Sequence, residues 1–285
     1  MDYAPITCGM PQGTHAGCVI FLALVNSLCQ AVANRAKYVD DLTMAHITKI
    51  LMEIAFVIQR DLDALTSECH DKGMVLHPIK CEVMHAIFPL RPLILPDLML
   101  DGIPLPVVHE VKLLGVYLND RLNWTTHVAH VLTTARKRYF ILYQAKKFQF
   151  TLNTILTLYQ WFIRTSLEYA APVWHPGLTQ RQHDQLERVQ KRVLRIALWP
   201  NYPGYEAALA QLGLSLLRER REMLTLRLGL SMLRSPRHRD LLPPTLGAVH
   251  GRNTRHRRRL QPVRCRTERW KKSFVPYVVK LINNC

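Results

Sequence analysis

The spacing of apolar residues predicts that the first part of the chain mixes helices and strands. From Thr48 to Gly73, apolar side chains recur every three or four residues, which is the period of one helical face. Thr48 is a suitable N-cap residue and Gly73 a suitable end. Residues 98–107 predict a hairpin that turns at Asp101 and Gly102. These elements predict an α+β fold, with helices packed on a small antiparallel sheet. Further strands are predicted at residues 80–88 and 111–118.

Beyond Trp124 the pattern is helical throughout, and prolines separate the predicted segments. This pattern favours an all-helical region after the mixed part. From residue 234 onward, prolines and the run Arg255–Arg259 predict an extended basic tail that orders on nucleic acid. The expected helices span residues 126–148, 152–170, 179–198, 205–212 and 216–233.

One apolar segment, residues 16–33, is similar in length to a membrane span. Asn26, Ser27 and Gln30 interrupt it, and a span needs about 20 predominantly apolar residues. The segment therefore predicts a buried helix rather than a membrane anchor. A short strand is predicted before it at residues 3–8, followed by a tight loop.

Charge is distributed unevenly along the chain. There are 38 Lys and Arg against 21 Asp and Glu, which gives a net charge of +17. Residues 1–120 carry −5, residues 121–233 carry +10 and residues 234–285 carry +12. Such an excess indicates a polyanionic partner, although a basic solubility tail on an unrelated domain gives the same total. The basic side chains on the predicted helices leave two interpretations open as well: one face of a helix contacts phosphates, or the side chains only face solvent.

The seven cysteines lie at scattered spacings, without a Cys-x-x-Cys pair or a histidine at metal-ligand spacing. This usage predicts a reduced, intracellular protein without a zinc site. The run Arg255–Arg259 is typical both of a nuclear localisation signal and of an RNA-binding segment, so the nucleus and the cytoplasm both stay open.

The strongest candidate for chemistry is the acidic pair Asp40 and Asp41. β-branched and aromatic residues flank the pair, which predicts a strand that turns sharply there. Adjacent carboxylates repel each other unless a cation neutralises them, and a divalent metal ion is a natural partner. Surface turns use the same dipeptide freely, so the pair taken alone leaves both interpretations open.

Further motifs resemble those of reverse transcriptases, specifically the enzymes of non-LTR (LINE-type) retrotransposons. Residues 9–14, with residues 21–22 and 26–28, are similar to motif B, and residues 38–41 are similar to motif C in letters and spacing. Gly73 with Lys80 resembles motif D, and residues 112–116 resemble motif E, the primer grip. The similarity continues at residues 122–124, His127, residues 167–170, 186–192 and 266–269, and Ser273-Phe274.

The resemblance implies a role for each matching residue. Asp40 is expected to ligate metal and help activate the primer 3′ hydroxyl, with Asp41 as a nearby, less direct carboxylate. Lys80 is expected near the leaving pyrophosphate, as a general acid or charge stabiliser. Gln12 and Gly13 are expected against the template and incoming nucleotide, Tyr38 under the primer end, and Leu114 and Gly115 in the primer grip.

The resemblance also implies the cofactor, the partners and the domains. An intact family member uses two Mg²⁺ ions for nucleotidyl transfer. Residues 121–285 are expected to hold the RNA template and the DNA primer by their backbones. The predicted domains are a partial palm with motifs B to E, a helical thumb-like region and a basic C-terminal region. They span residues 1–120, 121–233 and 234–285.

The family's motif A aspartate is expected several dozen residues before motif B, and this sequence has no counterpart at that spacing. Asp2 lies on the strand that leads into motif B and is no substitute. We therefore expect this chain to be a truncated polymerase, inactive alone unless an upstream exon or separate chain supplies motif A and the fingers. The alternative is a non-catalytic, nucleic-acid-binding remnant of a retroelement.

Overall fold

The computed structural model divides the chain into two compact units, Met1–Val111 and Lys112–Cys285. The predicted strand at residues 3–8, the cap Thr48, and Gln12 and Gly13 all lie outside the residues that the structure describes. The three-part domain scheme of palm, thumb and C-terminal region stays a prediction. The described residues are 14–28, 32, 34–47, 51–88, 95–250 and 256–284.

The apolar segment near the N-terminus forms helix α1, His15–Ser27, as predicted, but most of its side chains are exposed. Thr14 caps the helix by accepting a hydrogen bond from the amide of Gly17 at 3.1 Å. Val19 is 66% exposed and Ile20 is 48% exposed. The prediction of burial is wrong. The helix carries apolar side chains on all of its faces, and Gly17 is the one residue of the helix that the described part of the unit buries. No helix of the described part is long and apolar enough to cross a membrane.

The acidic pair lies on a hairpin, as the sequence predicts. Strand β1, Arg35–Tyr38, pairs antiparallel with strand β2, Asp41–Met44. Helix α2, Leu51–Asp71, follows it. Gly73 ends α2 with a left-handed φ of +68°, and its amide donates to the carbonyl of His70 at 3.0 Å. The predicted helix and its glycine end are therefore confirmed.

The second predicted hairpin also forms. Strand β3, Met99–Leu100, pairs with strand β4, Ile103–Pro104, and the chain turns at Asp101 and Gly102, both with positive φ. This hairpin closes a small apolar core beside α2. The core contains Leu28, Val32, Leu62, Leu65, Cys69, Leu98, Leu100 and Leu105.

The strand predicted at residues 80–88 does not form. Lys80 ends a 3-10 turn, Pro78–Lys80, which a proline begins because its fixed φ suits a first helical turn. Within this segment only Val83 pairs, in a single parallel bridge with Val107. Lys80 is thus the last residue of a turn rather than the first residue of a strand. The described strands form separate two-stranded sheets, not the one small antiparallel sheet that we expected.

The segment predicted as one strand at residues 111–118 is instead a hairpin. Strands β5, Glu110–Leu113, and β6, Val116–Asn119, pair with each other. The chain reverses at Leu114 and Gly115, whose φ values are +46° and +82°. Two left-handed residues make the tight turn that suits a twisted hairpin. The apolar pattern runs through the turn, which is why the pattern alone predicts one strand.

Every helix predicted beyond Trp124 forms in the second unit. The segment predicted at residues 152–170 is interrupted by a π-helical stretch, Tyr159–Arg164. The core of the second unit buries Leu142, Leu167, Trp174 and Leu186 completely. The helices are α3 (Thr125–Lys147), α4 (Leu152–Leu158), α5 (Thr165–Glu168), α6 (Ala171–Trp174), α7 (Gln180–Leu198), α8 (Tyr205–Leu212) and α9 (Leu217–Arg234).

The C-terminal region is folded where the structure describes it, so the prediction of an extended basic tail is wrong there. Val278 is buried against α9, where a Cβ on Gly229 would lie 2.3 Å from its Cγ2 atom. The last helix has an apolar stripe that is buried, although the region as a whole is basic in composition. The helices here are α10 (Leu246–His250), α11 (Glu268–Lys271) and α12 (Phe274–Asn284).

Candidate functional site

The β1–β2 hairpin brings three of the predicted site residues together. Tyr38 pairs with Asp41 across the hairpin, and Val39 and Asp40 form the two-residue turn. Tyr38, Asp40 and Asp41 are all exposed. The turn therefore presents two carboxylates and a phenol at one end of a short sheet.

The turn itself is strained at Val39. Its φ is +57°, in the left-handed region, where a β-branched side chain crowds the backbone. Such a conformation costs on the order of 1–2 kcal/mol. Strained turns of this kind are typical of functional sites, where the surrounding structure holds them in place.

Lys37 connects the hairpin to the end of α1, which the sequence analysis did not anticipate. Its Nζ atom donates hydrogen bonds to the carbonyl oxygens of Val25, Asn26 and Leu28 at 2.9, 2.9 and 2.6 Å. A cation at the C-terminus of a helix is stabilised by the helix dipole and satisfies carbonyls that have no partner within the helix. Lys37 therefore fixes the segment similar to motif B against the segment similar to motif C. The only sequence signal for this contact is a lysine in the middle of a predicted strand.

The two carboxylates fit a divalent cation by their chemistry. Carboxylate oxygens are hard ligands, and Mg²⁺ is usually bound by one or two carboxylates together with water and substrate phosphates. Asp40 and Asp41 are adjacent in sequence and both exposed, so both are accessible to ions from solvent. Within the described ranges, no group of three or more His, Cys, Asp or Glu residues is placed to hold a metal ion.

The structure does not join Lys80 to this hairpin. Lys80 is exposed at the end of its 3-10 turn, where its amide donates to the carbonyl of His77 at 2.9 Å. No contact between its side chain and the acidic turn is present in the described part of the first unit. Gln12 and Gly13, the expected template and nucleotide contacts, lie outside that part.

The residues similar to the primer grip are held by the helical unit. The Tyr169 hydroxyl donates a 2.8 Å hydrogen bond to the carbonyl of Leu114. A Cβ on Gly115 would lie 3.2 Å from the Tyr169 ring, so the absence of a side chain lets the phenol approach. The indole Nε1 of Trp174 in turn donates to the carbonyl of Tyr169 at 2.8 Å. The β5–β6 turn is thus anchored to the buried core of its own unit.

Glu168, the neighbour of Tyr169, has a structural role in the motif at residues 167–170. Its carboxylate accepts two hydrogen bonds from Arg220 on α9, at 2.6 and 3.1 Å. This bidentate pair raises the pKa of Arg220 above its ordinary value. The motif at residues 167–170 is therefore structural, because it ties the turn, α9 and the core together.

The motif at residues 186–192 carries a buried hydrogen-bond network. The hydroxyl of Tyr159, in the π-helical stretch, donates to Oε1 of Gln190. Gln190 Nε2 donates to the Tyr205 hydroxyl and to the Ser215 carbonyl, each at 3.0 Å. Tyr205 donates onward to Glu187, and burial together with this bond raises the pKa of Tyr205. Glu187 and Gln190 thus stabilise the connection to α8 and α9 rather than face a ligand.

Cationic side chains cover the exposed surfaces of α3 and α7. Some have structural partners: Lys146 Nζ donates to the carbonyl of Ala197 at 3.1 Å, and Lys191 lies 4.8 Å from the centre of the Tyr205 ring. Half-buried Arg138 donates to the carbonyl of Phe162. The exposed cations of the two helices are Arg136, Lys137, Lys147, Arg181, Arg188, Lys191, Arg192 and Arg195.

Comparisons with known proteins agree with the motifs. A family model described as reverse transcriptase (RNA-dependent DNA polymerase) matches residues 3–118. A probable RNA-directed DNA polymerase from transposon X-element of Drosophila melanogaster is 22% identical over 202 residues. The RNA-directed DNA polymerase from mobile element jockey of Drosophila funebris is 23% identical over 202 residues. Each alignment covers 67% of this chain but only 22% of the relative. No solved structure matches the chain with significance.

Proposed function

Residues 3–118 of this chain belong to the reverse transcriptase family, and from that premise we propose that they take part in RNA-directed DNA synthesis in a non-LTR retrotransposon. The observation that carries the proposal is the β1–β2 hairpin, in which Asp40 of the turn and Asp41, the first residue of β2, are both exposed. The relatives' names, both of RNA-directed DNA polymerases from mobile elements, support the same reaction.

Each residue of the hairpin has a role in this proposal. Asp40 and Asp41 hold the divalent ions, of which Mg²⁺ is the expected one; these ions, when bound, supply charge stabilisation for displacement at phosphorus. Tyr38 supports the primer end beside them. Lys80 donates a proton to the leaving pyrophosphate or stabilises its charge. Leu114 and Gly115 hold the primer backbone through the turn that Tyr169 anchors.

The metal site needs a further carboxylate. A two-metal displacement depends on ligands that bridge and position both ions, and a third carboxylate has to come from residues other than those described. We propose that the 285-residue polypeptide incorporates nucleotides only when a second segment or chain supplies an aspartate like that of motif A. Gln12 and Gly13 contact the template and nucleotide in the complete site.

Primer extension on an RNA template with Mg²⁺ tests this assignment. The variant Asp40→Asn removes one carboxylate charge, and Asp97→Asn, exposed in the same unit, is the matched control. Paramagnetic broadening by Mn²⁺ of the amide resonances of residues 38–41 measures metal binding directly. We expect broadening in the unaltered chain and in Asp97→Asn, and its loss in Asp40→Asn. Incorporation by the chain alone contradicts the incomplete site, and incorporation that survives Asp40→Asn contradicts the role of Asp40.

A second candidate function is nucleic-acid binding without catalysis, as in a retroelement remnant. The exposed cations of α3 and α7 favour it, because lysine and arginine side chains along a surface neutralise backbone phosphates without reading sequence. The same surface serves a polymerase that grips template and primer, so both candidates share it. RNA template and DNA primer are the expected partners of residues 121–285.

A filter-binding titration against salt tests this surface. For a single-stranded oligonucleotide, the logarithm of affinity is expected to fall linearly with the logarithm of salt concentration. Arg136→Gln with Lys137→Gln should weaken binding and reduce the slope by about one for each phosphate that is no longer neutralised. Arg227→Gln, exposed on α9, is the matched control. Binding that does not respond to salt would exclude a phosphate-dominated surface.

A further inference from the structure

Two of the sequence motifs that polymerase chemistry leaves unused meet at one cavity in the second unit. Its volume is about 560 Å³, within the range of roughly 300–1,000 Å³ that small-molecule sites occupy. Leu122, Asn123 and Trp124 line it from the segment before α3. Arg269, Trp270 and Lys272 line it from α11 and the residue that follows. Two segments that are roughly 150 positions apart in sequence thus share one site.

Both tryptophans of the cavity are held by their surroundings. A Cβ on Gly177 would lie 2.3 Å from the indole Nε1 of Trp124, so this indole lies directly against the glycine backbone. Trp270 is held at its backbone: its amide donates to Thr267 Oγ1 at 3.2 Å, and its carbonyl accepts from Ser273 Oγ at 2.7 Å. Thr267 and Ser273, which belong to the C-terminal motifs, therefore serve to place Trp270.

The lining chemistry favours a flat aromatic ligand that carries negative charge. Trp270 is 45% exposed, so part of the residue remains accessible to solvent. Arg269 and Lys272 flank it, and both side chains are exposed. Glu268, the acidic residue of the lining, is paired with Lys271 at 3.2 Å. Nucleic-acid bases stack on tryptophan in a sequence-tolerant way, and cations beside such a platform contact the adjoining phosphate. The charge of +12 on residues 234–285 favours a polyanion at this end of the unit.

We propose that this cavity binds one unpaired base of a single-stranded nucleic acid, with Trp270 as the stacking platform and Lys272 as the phosphate contact. The proposal rests on the proposed function, since it supposes that the helical unit holds a nucleic-acid strand. It adds a base-binding subsite to a unit whose exposed cations on α3 and α7 contact only the strand backbone in that proposal. The site captures a nucleotide that is not in a duplex, which suits the single-stranded part of a template.

The test uses an oligothymidylate that contains a single 2-aminopurine, whose fluorescence is quenched when it stacks on an indole. The full chain is titrated with this strand and, separately, with the free 2-aminopurine nucleoside monophosphate. Trp270→Ala removes the platform, and Trp199→Ala, 65% exposed and outside the cavity, is the matched control. Lys272→Gln tests the phosphate contact with little effect on folding, because this side chain is exposed.

We expect the strand to quench on binding, and Trp270→Ala to abolish the quenching and weaken the affinity by roughly 5- to 150-fold. Lys272→Gln should reduce the salt slope by about one. Trp199→Ala should behave as the unaltered chain. Salt-dependent strand binding with quenching unchanged in Trp270→Ala overturns this proposal and leaves the proposed function standing. Absence of any strand binding overturns both, and tight binding of the free monophosphate without the strand overturns the assignment to single-stranded nucleic acid.

Discussion

The hydroxyl of Tyr169 reaches the carbonyl oxygen of Leu114 at 2.8 Å, across 55 positions of sequence. The bond holds the turn of the β5–β6 hairpin, where Leu114 and Gly115 resemble a primer grip, to the helical core. Gly115 makes the approach possible because it has no side chain and a φ of +82°. Two segments recognised as separate motifs, residues 112–116 and 167–170, therefore form one structural assembly in the second unit.

We predict that Gly115→Ala destabilises the helical unit by about 2 kcal/mol or more. A left-handed φ costs a non-glycine residue about 1–2 kcal/mol, and the new Cβ would also lie 3.2 Å from the Tyr169 ring. Gly213→Ala is the matched control, because Gly213 has a φ of +61° with open space around it. Urea unfolding measures both variants. Equal losses of stability in the two variants would show that steric contact between the new Cβ and the Tyr169 ring adds nothing to the cost of the left-handed φ.

Gln190 provides a test of whether the motif at residues 186–192 is structural. Gln190→Leu leaves the buried Tyr159 hydroxyl and the Ser215 carbonyl without partners, so we expect a loss of about 2–4 kcal/mol. Tyr159→Phe in the same chain should restore part of that loss, because it removes one of the stranded groups. Gln211→Leu, exposed on α8, is the control. Urea unfolding gives the energies, and a loss of nucleic-acid affinity without a loss of stability would contradict the structural role.

Lys37 links the acidic hairpin to α1, and its removal should loosen that helix. We expect Lys37→Met to leave the carbonyls of Val25, Asn26 and Leu28 without their cationic donor, which costs about 1.5–3 kcal/mol locally. Hydrogen exchange of the α1 amides should then quicken by roughly 10- to 150-fold, which is the same free energy expressed as a ratio of rates. Lys80→Met, on an exposed side chain of the same unit, should leave this exchange unchanged.

Stability of the helical unit should fall as the pH drops below neutrality. Burial, followed by the nearby charge of Arg221, lowers the pKa of His175 to about 3, from 6.5 in the unfolded chain. Between these values the unfolded state binds more protons than the folded state. The free energy of unfolding therefore decreases as pH falls from about 6.5 towards 3, by up to about 1.4 kcal/mol per pH unit for this one group. His183, Arg218, Arg221 and Tyr277 surround the ring.

Urea unfolding at a series of pH values measures this dependence. His183 adds to it in the same direction, since burial first and Arg221 second lower its pKa to about 4. His175→Gln should flatten the profile by up to one group's contribution, whereas replacement of the exposed His256 is the matched control. An unchanged profile in His175→Gln would mean that the pKa of this ring does not differ between the folded and unfolded protein.

Much of the secondary structure and the main site candidates were predictable because they depend on local chemistry. Periodic apolar residues, a capping glycine and proline breaks predict α2 and the helices of the second unit correctly. The acidic turn is predictable because Asp40 and Asp41 lie between strand-forming residues. Two predictions fail for different reasons. The apolar run of α1 predicts a buried helix, but whether the helix is covered depends on residues distant in sequence. The apolar pattern around Leu114 continues through the turn, so it predicts one strand where the structure has a hairpin.

Local sequence chemistry thus determines which segments are helical, where the acidic pair lies and that the chain is basic after residue 120. Tertiary structure alone decides which charged and polar residues serve as scaffold and which remain exposed. Lys37, Glu168, Glu187 and Gln190 are held by partners between 9 and 52 positions away. Neither composition nor periodicity contains that information, because a polar side chain has the same sequence signature whether it faces solvent or a buried partner.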